Sequence, residues 1–170
     1  MANAGLPQGI LEYGPPITHA EAGRVTAAAE AKARAEGWPV VIAIVDGGGH
    51  LVMLHRLDHA QLGSIEVARR KAETSVNFKR PTKVLDDLLQ GGGPGLRMLA
   101  LGDACPIEGG VPLLRDGRLA GAIGVSGMQS AQDAQVAEAG AAALAEPEPE
   151  PGRTARAPAG QATLACLKDA

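Results

Sequence analysis

The sequence predicts an α/β fold of the α+β type, in which an antiparallel sheet is covered by helices. Two strand pairs joined by tight turns alternate with Ala-rich helical segments, and hairpins require antiparallel neighbours. The chain has 170 residues, of which 45% are apolar and 21% charged, as expected for one globular domain. One Phe, one Trp and one Tyr leave the core to small aliphatic side chains, so its elements must approach closely.

The chain begins with Gly- and Pro-rich residues 1–16, which predict an irregular leader. Thr18 and Glu21 stand at the spacing of a capping box, and Gly37 stands where a helix commonly ends. An Ala-rich segment lies between these two signals. The sequence therefore predicts a first helix that ends at residue 36.

Two strands and two helices are predicted next. The β-branched run 40–46, three glycines and the run 50–57 indicate a hairpin. Apolar residues recur at helical spacing over 62–78, and Pro81 ends that helix. Thr82 is predicted to cap the next helix, which runs to residue 90, before a glycine-rich break.

A second hairpin and a last helix complete the predicted domain. Strands 111–115 and 118–126 flank an Asp-Gly turn, the strongest hairpin signal in the chain, and Pro112 restricts its strand to a sheet edge or a strand start. An Ala-rich helix follows over 130–145. Residues 146–170 open with alternating Glu and Pro and are predicted to be a largely disordered tail.

Charge and composition exclude several function classes. A net charge of −3 and 2% aromatic residues give no reason to expect nucleic-acid binding. No run is long and apolar enough to cross a membrane, and the first residues lack an export signal, so we expect a cytoplasmic protein. Cys105 and Cys166 are expected to be reduced thiols.

The run 50–57 carries the first candidate site. Strict alternation along a strand places His50 and Arg56 on one face and His55 on the more apolar face. An imidazole can coordinate haem iron or move protons, and a guanidinium can clamp a carboxylate. The pair suits an anionic small molecule, although a solvated or structural role for each residue stays open.

Further candidates follow along the chain. Lys71 and Thr74 lie one helical turn apart and could meet a ligand held against the sheet, or form a solvated face. Gly109 and Gly110 leave backbone N–H groups open to close approach, and Glu108 beside them could act as a general acid or base. The glycines around 121–127 indicate that a helix, a second subunit or a ligand lies close to the strand backbone, and Ser126 could donate a hydrogen bond there.

In combination these motifs resemble the GlcG/HbpS-like family, which includes the C-terminal domain of PduO-type proteins. The match covers about residues 17–145. It rests on the following segments: IAIVDGGGHLVMLHRLD over 42–58, KAET over 71–74, RPT over 80–82, GGVP over 109–112, GAIGVSG over 121–127 and Gln132–Asp133.

The resemblance implies a profilin-like antiparallel sheet of about five strands with helices on both faces, assembled as a homo-oligomer between a dimer and an octamer. It also implies a small-molecule ligand. Haem is the family-suggested one, and His50 is the tentative iron ligand. Family membership fixes fold better than function.

Two residues depart from the family pattern and support an alternative. His59 stands where a glycine usually follows the Arg-x-Asp element, and Glu108 replaces an apolar or amide residue. In a cofactor-independent lyase, isomerase or cyclase, these two side chains would transfer protons. Arg56 or Lys71 would then anchor a small carboxylated or aromatic metabolite.

Overall fold

A four-stranded antiparallel sheet lies between helices on both of its faces in the computed structural model, which describes residues 11–145. The strand order is β2-β1-β4-β3. The elements in chain order are α1 His19–Glu36, β1 Val41–Asp46, β2 Leu51–Arg56, α2 Ser64–Phe78, α3 Thr82–Gln90, a 3-10 helix Gly93–Ala100, β3 Gly110–Arg115, β4 Arg118–Ser126 and α4 Ser130–Ala145. The predicted α+β class is confirmed.

The sheet has four strands where about five were expected. Part of the leader runs beside the start of β4, where the N–H of Gly14 donates to the carbonyl of Leu119 at 2.8 Å and Tyr13 forms one isolated bridge. A single bridge does not make a fifth strand. The predictions for residues 1–10 and for the tail 146–170 lie outside the described residues.

Two apolar layers hold the helices to the sheet. Helices α1 and α4 cover one face, with Val25, Ile42, Ile123 and Val136 among the fully buried side chains between them. Helix α2 covers the other face. No helix within the described part of the chain is both long and apolar enough to cross a bilayer.

Small residues allow these layers to pack closely, as the composition predicted. A Cβ atom built on Gly124 of β4 would lie 2.1 Å from the carbonyl oxygen of Ala68, so only glycine lets α2 lie this near the strand. The close approach predicted around 121–127 is therefore made by a helix of the same chain at Gly124.

The local signals for turns and caps are largely confirmed. Thr18 and Glu21 form the capping box of α1, and Gly37 ends it in the left-handed conformation. Pro112 lies on the edge strand β3. Thr82, predicted as a cap, is instead the first residue of α3, and its hydroxyl oxygen accepts from the N–H of Gly110 at 2.9 Å.

A bulge in β2 breaks the alternation that the sequence predicted. Ile44 pairs with Met53 but Val45 pairs with Leu51, so β2 carries one extra residue at Val52. Val52 and Met53 consequently both pack against the α1 side of the core, although strict alternation places them on opposite faces. Residues before and after the bulge cannot be assigned to faces by counting.

Candidate functional site

Most of the predicted site residues lie at one end of the sheet, which we call the Ser126 end. Val41 at the start of β1 pairs with Arg56 at the end of β2 and with Ser126 at the end of β4, and β3 begins alongside them at Gly110. The loops 37–40, 57–63, 105–109 and 127–129 therefore meet there.

His50 lies at the opposite end of β2, so within one chain the expectation that His50 and Arg56 act as a pair is wrong. The whole of β2 separates them, which corresponds to about 20 Å at roughly 3.3 Å per residue. The side chain of His50 is 83% exposed, with its Nδ1 3.4 Å from Oδ1 of Asp46. Arg56 is exposed at the Ser126 end. The role of His50 as an iron ligand stays a prediction.

Lys71 forms a buried ion pair. Its Nζ lies 2.9 Å from Oδ2 of Asp133 and 2.9 Å from the carbonyl oxygen of Val125, and both charged side chains are almost fully buried. Burial raises the pKa of Asp133, although the ammonium acts in the opposite direction. The loss of solvation of both charges offsets much of their attraction, so the pair adds little net stability while it stays intact. Lys71 thus has two protein partners, and its role as a ligand anchor stays a prediction.

Gly109 and Gly110 close over this ion pair. A Cβ atom on Gly109, where φ is +123°, would lie 2.8 Å from the Lys71 ammonium, and one on Gly110 would lie 2.4 Å from the carbonyl oxygen of Lys71. The backbone N–H of Gly110 is already bonded to Thr82. Glycine is therefore needed at both positions because this segment packs directly against α2.

Thr74 and Ser126 are also buried with protein partners. The hydroxyl of Thr74 accepts from the N–H of Cys105 at 2.8 Å, and the residue borders a cleft of about 280 Å³ beside Phe78. The hydroxyl of Ser126 lies 3.3 Å from that of Ser64. Burial raises the pKa of the Cys105 thiol.

Glu108 borders a second cleft, which we call the Glu108 cleft. It has a volume of about 260 Å³, and Val84, Val111 and Ala134 contribute its apolar wall. The carboxylate of Glu108 is 16% exposed and lies 4.0 Å from Nζ of Lys83. His59 is not among the residues of this cleft, so the two predicted proton-transfer groups lie in different clefts. Their catalytic roles stay predictions.

A third cleft, which we call the Trp38 cleft, lies between the C-terminal end of α1 and the loop after β2. Its volume is about 340 Å³. It is lined by Ala33, Arg34, Gly37, Trp38, Pro39, Leu57, Asp58 and His59. An aromatic residue, aliphatic residues, a histidine, an arginine and an aspartate therefore border one concave surface, a combination found in small-molecule sites.

The backbone at His59 explains how its imidazole reaches this cleft. The N–H of Ala60 donates to the carbonyl of Leu57 at 3.1 Å, which closes a turn in which His59 has a φ of +66°. Glycine adopts this left-handed conformation without steric cost, whereas histidine does so at about 1 kcal/mol. A glycine would relax the turn, whereas the histidine keeps an exposed side chain at the border of the Trp38 cleft.

Sequence reasoning found His59 but missed the rest of the Trp38 cleft. Trp38 is the only tryptophan in the chain and follows directly after the glycine that ends α1. The available signal was the position of Trp38 in the loop between α1 and β1. A large aromatic side chain in a loop is expected to pack over a neighbouring surface. Arg34 gave no signal, since it occupies an exposed helical position.

Among residues 11–145, no group of three or more His, Cys, Asp or Glu side chains could hold a bare metal ion. The model of the family described as "Haem degrading protein HbpS-like" matches residues 17–142. The chain belongs to the HbpS-like family. The resemblance to GlcG/HbpS-like proteins inferred from the motifs is confirmed.

Relatives and solved structures in this HbpS-like family agree with the fold. GlcG of Escherichia coli K12 is 39% identical over 105 residues, which are 62% of this chain and 77% of GlcG. The Klebsiella pneumoniae protein ORFY superimposes with a TM-score of 0.73 at 28% identity, over 84% of this chain and 100% of that chain. A PduOC:haem complex gives a TM-score of 0.68 at 35% identity, over 75% and 94%.

Proposed function

We propose that this protein binds haem and that the Trp38 cleft is the binding site. The observation that carries the proposal is the meeting of Trp38, Leu57 and the His59 imidazole in one open cleft. A solved relative whose description names a haem complex, and the family description itself, support haem as the ligand class.

Most residues of the cleft fit haem in kind, and Asp58 is the one acidic residue in its lining. The ring of Trp38 and the side chains of Pro39 and Leu57 offer apolar surface to a porphyrin, and a neutral imidazole is a common axial ligand of haem iron. Arg34 offers a guanidinium to a propionate group. When bound, haem supplies an iron centre for redox or gas-binding chemistry.

The size of the cleft bears on the assembly. About 340 Å³ lies near the lower end of the roughly 300–1,000 Å³ typical of ligand sites, so one chain encloses a porphyrin only in part. Leu62, which is 73% exposed, and Met128 lie at the same end of the sheet. We propose that the protein works as a homo-oligomer in the cytoplasm. The free thiol of Cys105 is compatible with that compartment.

Haemin titration tests the proposal. Haemin added to the full chain is expected to give a saturable Soret band at one haem per chain. The variant His59→Gly removes the imidazole while keeping the turn, because glycine suits the φ of +66°. We expect it to lose the band position of an imidazole complex. His19→Ala, at an exposed position outside the cleft, serves as the matched control.

Each outcome has a defined consequence. Haemin that leaves the spectrum at that of free haemin would overturn the haem proposal. A complex lost in His50→Ala and unchanged in His59→Gly would retain haem binding, move the iron ligand to the other end of the sheet and refute the Trp38 cleft as the site.

A further inference from the structure

Arg34, the cation of the Trp38 cleft, is held by a carboxylate that also contacts a histidine. Oε1 of Glu30 lies 2.8 Å from Nε and 2.5 Å from Nη2 of Arg34, one helical turn away on α1. Oε2 of the same carboxylate lies 3.2 Å from Nδ1 of His55 on β2. One carboxylate is therefore shared by a guanidinium that lines the cleft and by an imidazole that does not.

We propose, resting on the proposed function of the Trp38 cleft, that this cleft selects planar ligands that carry a carboxylate, which takes the place of Glu30 on Arg34. Two parallel N–H donors of a guanidinium match one carboxylate in geometry and charge. In the structure both donors point at one oxygen of Glu30, Oε1, whereas a ligand carboxylate could offer each donor its own oxygen. His55 provides a second partner for Glu30 once the ligand has taken Arg34.

Glu30 is held in the ionised form that this exchange requires. Arg34 and then His55 lower the pKa of Glu30 by hydrogen bonding. The side chain of Arg34 is 66% exposed and that of Glu30 21%, so the existing ion pair is weak and the exchange is accessible from solvent. The ligand class that follows is an aromatic or macrocyclic acid.

His55 gives Glu30 a partner that does not depend on Arg34. Its Nδ1 contacts Glu30 from α1, while β1 places apolar Ile42 opposite it in the strand pairing. A ligand that takes Arg34 therefore does not leave the Glu30 carboxylate without a hydrogen-bonding partner.

Metal-free protoporphyrin IX and its dimethyl ester test the inference without iron ligation. The two probes share the same ring and differ in their carboxylates. At pH 7.5 we expect Glu30→Gln to tighten binding of the diacid about two- to fivefold and Arg34→Gln to weaken it by a similar factor, the range that exposed ion pairs support. Neither substitution should change binding of the ester. Glu66→Gln, which removes an exposed carboxylate paired with Arg69 on α2, is the matched control.

A His55 variant completes the test. His55→Leu removes the second partner of Glu30, so it should weaken diacid binding and leave ester binding unchanged. Equal effects on diacid and ester, an unchanged diacid affinity in Glu30→Gln and Arg34→Gln, or no binding of the diacid would each overturn the inference. A normal haemin Soret titration alongside any of these results would leave the proposed haem binding intact.

Discussion

Substitution of Gly124 by Ala places a methyl group where the backbone of α2 lies. The added Cβ would be 2.1 Å from the carbonyl oxygen of Ala68 and 2.6 Å from the nitrogen of Ala72. Both atoms belong to a helical backbone, which cannot rotate away as a flexible side chain can. Helix α2 must therefore retreat by about 1.3 Å or more to bring the 2.1 Å distance up to the 3.4 Å of ordinary contact.

That retreat would loosen the packing of α2 against the sheet. Ala68, Ala72 and Val76 are fully buried there, and overpacking of such a core costs about 1–3 kcal/mol, occasionally more. Because the contacts are with main-chain atoms, we expect about 3 kcal/mol or more. At roughly 2–4 °C per kcal/mol, Gly124→Ala should lower Tm by about 6–12 °C or more in thermal unfolding followed by circular dichroism.

Gly23 in α1 provides a matched control for the same chemical change. A Cβ atom at this helical position meets nothing within 4 Å, so Gly23→Ala should stabilise the protein by about 0.5–1 kcal/mol through helix propensity. A Gly124→Ala variant that unfolds within 2 °C or so of the wild type would refute the argument that α2 needs a glycine beneath it.

Two other predictions concern stability. Although partial burial raises the pKa of Glu21, hydrogen bonds from Thr18 and Arg115 hold it below its usual value of 4.5, so its contribution is present above that pH and lost as the pH falls through the folded value. Glu21→Gln should cost about 1–2 kcal/mol in urea unfolding at pH 7 and progressively less as the pH falls below 4.5; a loss that does not shrink on acidification would contradict this. His59→Gly should raise the unfolding free energy by up to about 1 kcal/mol, and a decrease would show that His59 makes a stabilising contact.

Local signals account for what the sequence predicted about the fold. Capping residues, turn residues and short-range periodicity act within a few positions, so α1, both hairpins and α4 were predictable. The bulge at Val52 depends on how two strands pair across the sheet, so strict alternation wrongly placed Val52 and Met53 on opposite faces. His50 and Arg56 fail to meet for a different reason, because about 20 Å of extended strand separates them.

The candidate site was less predictable because its contacts are long-range. Asp133, the ion-pair partner of Lys71, is 62 positions away in the sequence. The residues near Lys71 therefore do not indicate that its ammonium is bound by a carboxylate. Likewise, Trp38 and His59 belong to segments that meet only once β1 and β2 have paired. The sequence indicated that something lies close to Gly109, Gly110 and Gly124. Only the packing of α2 shows that atoms of the same chain make these contacts.

The indole N–H signal of Trp38 tests the central claim most directly, because the chain contains a single tryptophan. In a nitrogen-15 correlation spectrum, haemin bound in the Trp38 cleft should shift or broaden that one indole resonance in step with the growth of the Soret band. A complete Soret titration that leaves the indole resonance in place and sharp would contradict the assignment of the haem site to this cleft.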